Sequence, residues 1–207
     1  MIPQQQPAVE TSSDLSILRE RVRRDGKVLP GGILKVDSFI NHQVDPALMA
    51  LMGREFARRF GYLRPTKVLT AEISGIAPAL QAGVALDVPV LFARKTRSVT
   101  LPPNTFERRV PSRTKGGETL LLVSPEYLGP GDRVVIIDDF LASGQTTEAL
   151  ASIVAEAGAT LLGIGVVVEK NFEDGRERLA HLGVPIEALV IISHMDENGI
   201  EFASAGA

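Results

Sequence analysis

The chain has 207 residues, of which 44% are hydrophobic and 23% are charged, and this suits one compact α/β domain with a full core. A formal net charge of −3 gives no support for a general nucleic-acid or membrane-surface role. Residues 1–11 lack the apolar core of a signal peptide, and no apolar run approaches the roughly 20 residues of a membrane helix. The absence of cysteine excludes disulfides and zinc-thiolate sites. We therefore expect a soluble, cytoplasmic protein.

The predicted elements begin after a polar tail. Residues 1–13, rich in Gln, Pro, Ser and Thr, are expected to be disordered, and a single domain is expected over 14–207. The spacing of apolar residues predicts one helix over 14–26 and another over 46–60. Asp45 is the predicted N-cap of the second helix.

Beyond residue 66 the predicted elements alternate between strand and helix, which is typical of βαβ units and a mainly parallel sheet. The predicted strands are 67–71, 88–93, 119–123, 133–137, 161–168 and 186–192. The predicted helices are 75–86, 146–157 and 174–182. The expected fold class is α/β, with a mainly parallel sheet of five to six strands flanked by helices.

One long stretch interrupts this alternation. Residues 96–118 combine prolines and glycines with basic residues and show no sustained apolar period. A loop of this length in a compact domain is usually a functional flap or disordered. We interpret the loop 96–118, together with the N-terminal segment 26–45, as a hood that closes over a site. The loop itself is expected to be an extended arm.

The most informative segment is a buried strand that runs into two acids and a small-residue loop. The β-branched residues 134–137 are typical of a central parallel strand. Asp138 and Asp139 follow, at the position where open α/β sheets bind ligands. The next residues can bring backbone N–H groups close to an anion at the start of a helix. These residues are Ala142, Ser143, Gly144, Gln145 and Thr146. The segment indicates a site for a phosphorylated ribose, although an ordinary strand end with a capped helix is the alternative.

A second loop and a basic pair follow two other predicted strands. The loop consists of Glu72, Ile73, Ser74 and Gly75, and it is either another anion site at a helix start or a plain helix cap at Ser74. The basic pair is Arg94 and Lys95. Basic pairs at strand ends are usually solvated, but two cations there can stabilise an anionic leaving group.

Residues 169–172, Glu-Lys-Asn-Phe, follow the predicted strand 161–168. An adjacent Glu and Lys at a strand end commonly form a surface ion pair of little value. Alternatively, Lys170 can select a carbonyl oxygen over an amino group because an ammonium only donates, and Phe172 offers a flat apolar face for stacking. The three histidines show no metal-ligand spacing, and neither a Walker loop nor a dinucleotide-binding glycine motif occurs.

Taken together, these segments resemble a known family. Residues 134–146 resemble the ribose-phosphate motif of the type I phosphoribosyltransferases. Residues 34–43, 94–95 and 169–172 resemble signature segments of the bacterial xanthine phosphoribosyltransferases. The resemblance runs over about 15–202 and is therefore much more specific than a single loop.

The resemblance implies the type I phosphoribosyltransferase fold and a reaction of purine salvage. In that reaction, 5-phosphoribosyl passes from phosphoribosyl pyrophosphate to N9 of xanthine, giving xanthosine 5′-monophosphate and pyrophosphate. The two acids would be catalytic and lie at the ribose, residues 142–146 would hold the 5-phosphate, and residues 72–75 would hold the pyrophosphate. Arg94 and Lys95 would stabilise the leaving pyrophosphate, and in a homodimer they could reach the neighbouring site.

The resemblance also implies a base site and a metal cofactor. Leu34, Asn41, Lys170 and Phe172 would contact the base, with Lys170 donating to the carbonyl oxygen at purine position 6. The Asn41 amide would recognise the carbonyl at position 2 and so separate xanthine from hypoxanthine. Mg²⁺ is expected to bind together with phosphoribosyl pyrophosphate, and the sequence assigns no residues to it.

Two alternatives stay open. The nearer one is a phosphoribosyltransferase for guanine, hypoxanthine or adenine. The other is a ligand-sensing regulator with the same fold, which would need an added DNA-binding module. The basic helix around residues 19–24 is too short to form a helix-turn-helix. We therefore expect small-molecule substrates and no nucleic-acid or membrane partner.

Overall fold

The computed structural model describes residues 15–111 and 116–203. The predicted tail, residues 1–13, and part of the predicted arm, residues 112–115, lie outside the described residues. Within the described ranges, every helix is too short or too polar to cross a membrane.

The described residues form five α-helices and ten strands. The helices are α1 (Ser16–Asp25), α2 (Pro46–Phe60), α3 (Ile76–Leu86), α4 (Gln145–Glu156) and α5 (Gly175–Leu179). The strands are β1 (Lys27–Leu29), β2 (Ile33–Lys35), β3 (Lys67–Ala71), β4 (Val90–Ala93), β5 (Phe106–Pro111), β6 (Glu118–Val123), β7 (Arg133–Leu141), β8 (Thr160–Lys170), β9 (Ile186–Asp196) and β10 (Gly199–Phe202). A π-helical turn covers Asp37–Asn41, and short 3₁₀ turns cover Gly61–Leu63 and Ala180–Leu182.

A six-stranded sheet in the order β10-β9-β8-β7-β3-β4 occupies the centre of the fold. Its first five strands in chain order are parallel to their neighbours, and only β10 runs antiparallel, beside β9. The carboxyl ends of β3, β4, β7 and β8 therefore meet at one edge of the sheet, where ligands bind in folds of this type. The predicted mainly parallel α/β sheet is confirmed.

The predicted helices are confirmed to within a few residues at each end. In α2 the predicted cap is also present, since the Asp45 carboxylate accepts hydrogen bonds of 3.1 Å from the backbone N–H groups of Ala47 and Leu48. The predicted last helix, 174–182, is a short α-helix continued by a 3₁₀ turn.

Several strands differ from the predicted pattern, and the short strands β1 and β2 were not predicted. The predicted strand 119–123 exists as β6, but it pairs with β5 in a separate antiparallel hairpin instead of joining the central sheet. The sixth strand of the sheet is β10, which was not predicted because four residues after a turn carry too short a pattern. The strand β5 was also missed, since it lies within the proline-rich and basic stretch that suggested an irregular loop.

The strand β7 is buried on both faces, as its β-branched residues predicted. Val135 and Ile137 belong to a core cluster with residues of α1, α2 and α3, whereas Val134 and Ile136 belong to a second cluster with residues of α4. Alternate residues of a strand point to opposite faces, so this one strand is covered by both layers. Its carboxyl end is consequently held in a fixed position.

The two predicted hood segments join different core clusters. In the N-terminal segment, Leu34 and Phe39 pack in the cluster that contains α1 and α2. The β5–β6 hairpin packs against α4 through the second cluster, and Arg108 pairs with Glu156 of α4 at 2.7 Å. At the base of the hairpin, Arg94 and Leu122 exchange two backbone hydrogen bonds of 2.9 Å. Closure of these segments over the site stays a prediction.

Candidate active site

Asp138 and Asp139 lie near the end of β7, at the carboxyl edge of the sheet. The Asp138 side chain is buried, with 7% of its surface exposed. One of its oxygens accepts a hydrogen bond of 3.0 Å from the backbone N–H of Asp139, and the Asp139 carboxylate accepts one of 3.1 Å from Phe140. Burial raises the pKa of Asp138 well above the usual value, and the charge of Asp139 raises it further. Burial also raises the pKa of Asp139.

Gly75 allows the 72–75 loop to pack directly on this acid pair. A methyl group at position 75 would lie 2.3 Å from Asp138 Oδ1 and 2.3 Å from Thr70 Oγ1, which no side chain can do without displacing them. Thr70 is fully buried, and its hydroxyl has no hydrogen-bond partner among the described residues. Ser74 does not supply a side-chain cap to α3, so the plain helix cap considered for this loop is not formed.

The basic pair lies beside the same loop. Arg94 Nε is 3.8 Å from Glu72 Oε1, and the backbone N–H of Lys95 donates to Glu72 Oε2 at 2.8 Å. The Lys95 ammonium is close enough to lower the pKa of both acids, although their burial outweighs this effect. The structure thus brings the acids, the 72–75 loop and the two cations together.

The predicted phosphate loop, residues 142–146, joins β7 to α4. Gly144 occupies the N-cap position of α4 with a φ of +75°, a conformation that favours glycine, and no side chain caps the helix. The backbone N–H groups of the first helical turn have no partners within a helix. The end of β7 therefore presents N–H donors directly beyond the acids, as an anion site requires.

Lys170 lies at the end of β8, and only 6% of its surface is exposed. Its ammonium donates to the carbonyl oxygen of Gly32 at 2.7 Å and lies 3.8 Å from a carboxylate oxygen of Glu173. It also lies 5.9 Å from the centre of the Phe140 ring, next to the acid pair in sequence. Lys170 therefore connects the turn between β1 and β2 with the ends of β7 and β8.

Glu169, the residue before Lys170, has a separate partner. Its carboxylate is almost fully buried and accepts hydrogen bonds of 2.8 Å and 2.5 Å from Arg176 of α5. The surface ion pair considered for Glu169 and Lys170 is wrong, because both residues are buried and bind other groups. The contribution of Arg176 was missed in the sequence, since the chain turns between β8 and α5.

The other residues predicted to contact the base are Leu34, Phe172 and Asn41. Leu34 is buried in β2, two residues after the Gly32 carbonyl that Lys170 binds. Phe172, in the turn after β8, is 46% exposed. The side-chain oxygen of Asn41 is buried and has no hydrogen-bond partner within the described ranges. The place of Asn41 at the base stays a prediction.

The residues of the site also bear on the expected magnesium ion. Among the described residues there is no group of three or more His, Cys, Asp and Glu that could hold a metal by itself. Mg²⁺ in phosphate sites is usually bound by one or two carboxylates, with substrate phosphates and waters completing its shell. Asp138 and Asp139 fit that requirement, because they place two carboxylates side by side at the end of β7, where burial disfavours their charge unless a cation or hydrogen-bond donors balance it.

Comparison with known proteins agrees with this geometry. Residues 46–201 match the phosphoribosyl transferase domain family. The chain is 56% identical to a xanthine phosphoribosyltransferase of Deinococcus deserti, over 91% of this chain and 98% of that protein. It is 50% identical to one of Moorella thermoacetica, over 92% of this chain and 97% of that protein. The chain belongs to the xanthine phosphoribosyltransferase family.

Solved structures of this family's relatives share the fold. An adenine phosphoribosyltransferase of Thermoanaerobacter pseudethanolicus has a TM-score of 0.71 at 24% identity, covering 86% of this chain and 99% of that one. Another, from Rhodothermus marinus, has a TM-score of 0.69 at 27% identity, covering 86% of this chain and 97% of that one. The expected type I phosphoribosyltransferase fold is confirmed, and the roles of individual residues stay predictions.

Replacing Asp138 by Asn is expected to raise stability while removing activity. Because folding raises the pKa of Asp138, the stability of the native protein falls as the pH rises from about 4, the ordinary carboxyl range, toward the raised value. At neutral pH the variant should melt about 2–4 °C higher, the shift for about 1 kcal/mol in a domain of this size. Its turnover should fall about 100-fold. Thermal melts between pH 4 and 8 and a transferase assay measure both effects.

Asp132→Asn, just before β7, is the matched control with the opposite sign. Although burial raises its pKa, hydrogen bonds from Lys67 and the Gly129 backbone lower it overall. The native contribution of Asp132 is therefore present at neutral pH and disappears as the pH falls through the lowered value. If both variants melted at a lower temperature at neutral pH, this would contradict the claim that ionised Asp138 destabilises the native protein.

Proposed function

We propose that this protein transfers 5-phosphoribosyl from phosphoribosyl pyrophosphate to N9 of xanthine, with release of pyrophosphate. The observation that carries the proposal is the buried acid pair of β7, which lies between two anion loops and close to a buried lysine. The similarity to xanthine phosphoribosyltransferases over nearly the whole chain supports xanthine as the base. We also infer a cytoplasmic location, which agrees with the absence of cysteine from the sequence.

The donor would bind across the end of β7. The backbone N–H groups of residues 142–146 bind the 5-phosphate, and the carboxylates of Asp138 and Asp139 accept hydrogen bonds from the ribose hydroxyls. Hydrogen bonds from the sugar favour the charged form of each acid, so binding lowers the pKa values that burial has raised. The ionised pair then stabilises positive charge that develops at the anomeric carbon of the ribose.

The leaving group is bound on the other side of the acids. The bond between the anomeric carbon and the pyrophosphate oxygen breaks with its electron pair on that oxygen. The N–H groups of the 72–75 loop and the side chains of Arg94 and Lys95 bind the resulting charge. Asp138 and Asp139 would hold Mg²⁺ at this place, and the ion would supply further neutralisation of that charge. No covalent intermediate with the protein is needed, because N9 of the base forms the new bond to the anomeric carbon and the base gives up its proton to solvent.

The base site selects among purine bases by hydrogen bonding. The ammonium of Lys170 already lies among acceptors, the Gly32 carbonyl and the Glu173 carboxylate. A carbonyl oxygen at purine position 6 fits this donor, whereas the amino group of adenine would place donor against donor. The half-exposed ring of Phe172 can cover one face of the purine, Leu34 supplies an apolar contact, and the Asn41 amide binds the carbonyl at position 2.

Turnover with four purine bases tests this function and the part of Lys170 in it. The native enzyme should use xanthine faster than guanine, hypoxanthine or adenine. Lys170→Met should lower kcat/KM for xanthine about 10- to 150-fold, the range for one hydrogen bond from a charged donor. The KM for phosphoribosyl pyrophosphate should change little, because Lys170 does not contact the donor.

Lys67→Met is the matched control for that experiment. Lys67 is also largely buried, donates to the Tyr127 carbonyl and pairs with Asp132 at 2.9 Å, but it lies at the opposite edge of the sheet. The kcat/KM of the Lys67→Met variant for xanthine should match that of the native enzyme. The absence of nucleotide product from any base would refute the proposed function, and faster turnover of adenine would refute the role of Lys170.

We also propose a homodimer, formed through α3 and the edge strand β4. Leu80, Val84 and Phe92 on this face are 51%, 68% and 39% exposed. Leu80 and Val84 line one shallow groove with Val88–Val90, and contiguous exposed apolar surface marks interaction sites. Arg94 and Lys95 follow β4 directly, so they would lie at the border between two sites and could serve the neighbouring one.

Val84→Glu should convert the dimer to a monomer, because it places a charge in the apolar contact. Light scattering coupled to size-exclusion chromatography measures the mass. Ile17→Glu on α1 is the control, since Ile17 is 56% exposed and lies outside the proposed contact. A native protein of monomer mass, or an unchanged dimer in the Val84 variant, would contradict this contact.

A further inference from the structure

Arg178 of α5 binds the backbone of the phosphate loop from outside the site. Its Nε donates to the carbonyl oxygen of Ser143 at 2.7 Å, and its Nη1 lies 3.3 Å from a carboxylate oxygen of Glu148. Glu148 is in the first turn of α4, and its own backbone N–H donates to the Gly144 carbonyl at 2.9 Å. The guanidinium therefore binds Glu148 through Nη1 and the Ser143 carbonyl, in the middle of the loop, through Nε.

The hydrogen bond from Arg178 fixes the orientation of the whole Ser143–Gly144 peptide, and not only that of the Ser143 carbonyl oxygen. The peptide that joins Ser143 to Gly144 is trans and planar, so its carbonyl and its N–H point in opposite directions. Holding the Ser143 carbonyl toward Arg178 turns the N–H of Gly144 away from α5. In the proposed function the 5-phosphate is bound on that opposite side, by N–H groups of this loop.

The loop and α5 pack so closely that there is no room for a side chain between their backbones. A methyl group at Gly144 would lie 2.9 Å from the Gly175 carbonyl oxygen, and one at Gly175 would lie 2.2 Å from the Ala142 carbonyl oxygen. The two backbones thus touch directly where α5 begins. Arg178 follows within the same short helix, and its side chain passes 3.4 Å from the position of the Gly144 methyl group.

We propose that Arg178 is a positioning residue for the donor's 5-phosphate, acting through the Ser143–Gly144 peptide. This proposal rests on the proposed function, because it takes the loop as the phosphate site. Arg178 does not touch the substrate in this arrangement. It sets the direction of an N–H group before the substrate arrives, which lowers the cost of ordering the loop on binding.

Steady-state kinetics with Arg178→Met and Arg178→Lys provide the test. Met keeps the apolar part of the side chain but removes its donors, so the KM for phosphoribosyl pyrophosphate should rise about tenfold, as for the loss of one charge-assisted hydrogen bond. The kcat and the KM for xanthine should stay within about twofold, since uniform binding of the donor is what is lost. Lys keeps a positively charged donor group and should restore the KM to within about threefold of the native value.

Arg133→Met is the matched control. Arg133 also donates to loop carbonyls, those of Leu63 and Arg64, at 2.6 Å and 3.2 Å, but it lies at the amino end of β7. It should leave the KM for the donor unchanged, even if both Met variants melt at a lower temperature. An unchanged KM in Arg178→Met, or equal changes in the two Met variants, would overturn the proposal.

Calorimetric binding of ribose 5-phosphate separates this proposal from the proposed function. The native protein should bind it, and Arg178→Met should bind it about tenfold more weakly, whether or not xanthine is a substrate. If the native enzyme forms no nucleotide but shows this difference, the proposed function fails while the role of Arg178 stands. If nucleotide forms normally and the two affinities are equal, the role of Arg178 is overturned and the function stands.

Discussion

Two adjacent carboxyl groups lie at the end of the central strand, Asp138 buried and Asp139 partly buried, and the rest of the site depends on how their charge is balanced. Burial raises the pKa of both acids, and the charge of Asp139 adds to the effect on Asp138. Lys95 offsets only part of this. A buried carboxylate pair is costly unless hydroxyls or cations bind it. In the proposed function, a ribose diol and a hydrated metal ion would bind this pair and favour its charged form.

The fold explains why such a pair can be maintained. The strand β7 is covered on both faces by the two core clusters, and Gly75 lets the neighbouring loop approach Asp138 to contact distance. The parallel order of the sheet brings the ends of β3, β4 and β8 to the same edge. The ends of β3, β4 and β8 supply the 72–75 loop, the basic pair and the buried Lys170 of the proposed site. Arg178 of α5 binds the backbone of the loop that follows β7.

Local patterns predicted the parts of the site that lie within one stretch of chain. The β-branched run, the two acids and the small-residue loop are contiguous, and Asp45 caps α2 through neighbouring N–H groups. Contacts between distant residues carry no such signal. The bond from Lys170 to Gly32 spans 138 residues, and that from Arg178 to Ser143 spans 35. The strand β5 was missed because its partner β6, and not its own pattern, defines it.

Calorimetry of the donor with Mg²⁺, in buffers of different ionisation enthalpy, tests most directly whether the buried pair is relieved on binding. The heat then reports how many protons leave the complex. If binding lowers the raised pKa values, the native protein should release more protons below neutral pH than the Asp138→Asn variant, which has lost one acid. Equal proton release from the two proteins would show that substrate binding does not change the ionisation of this pair.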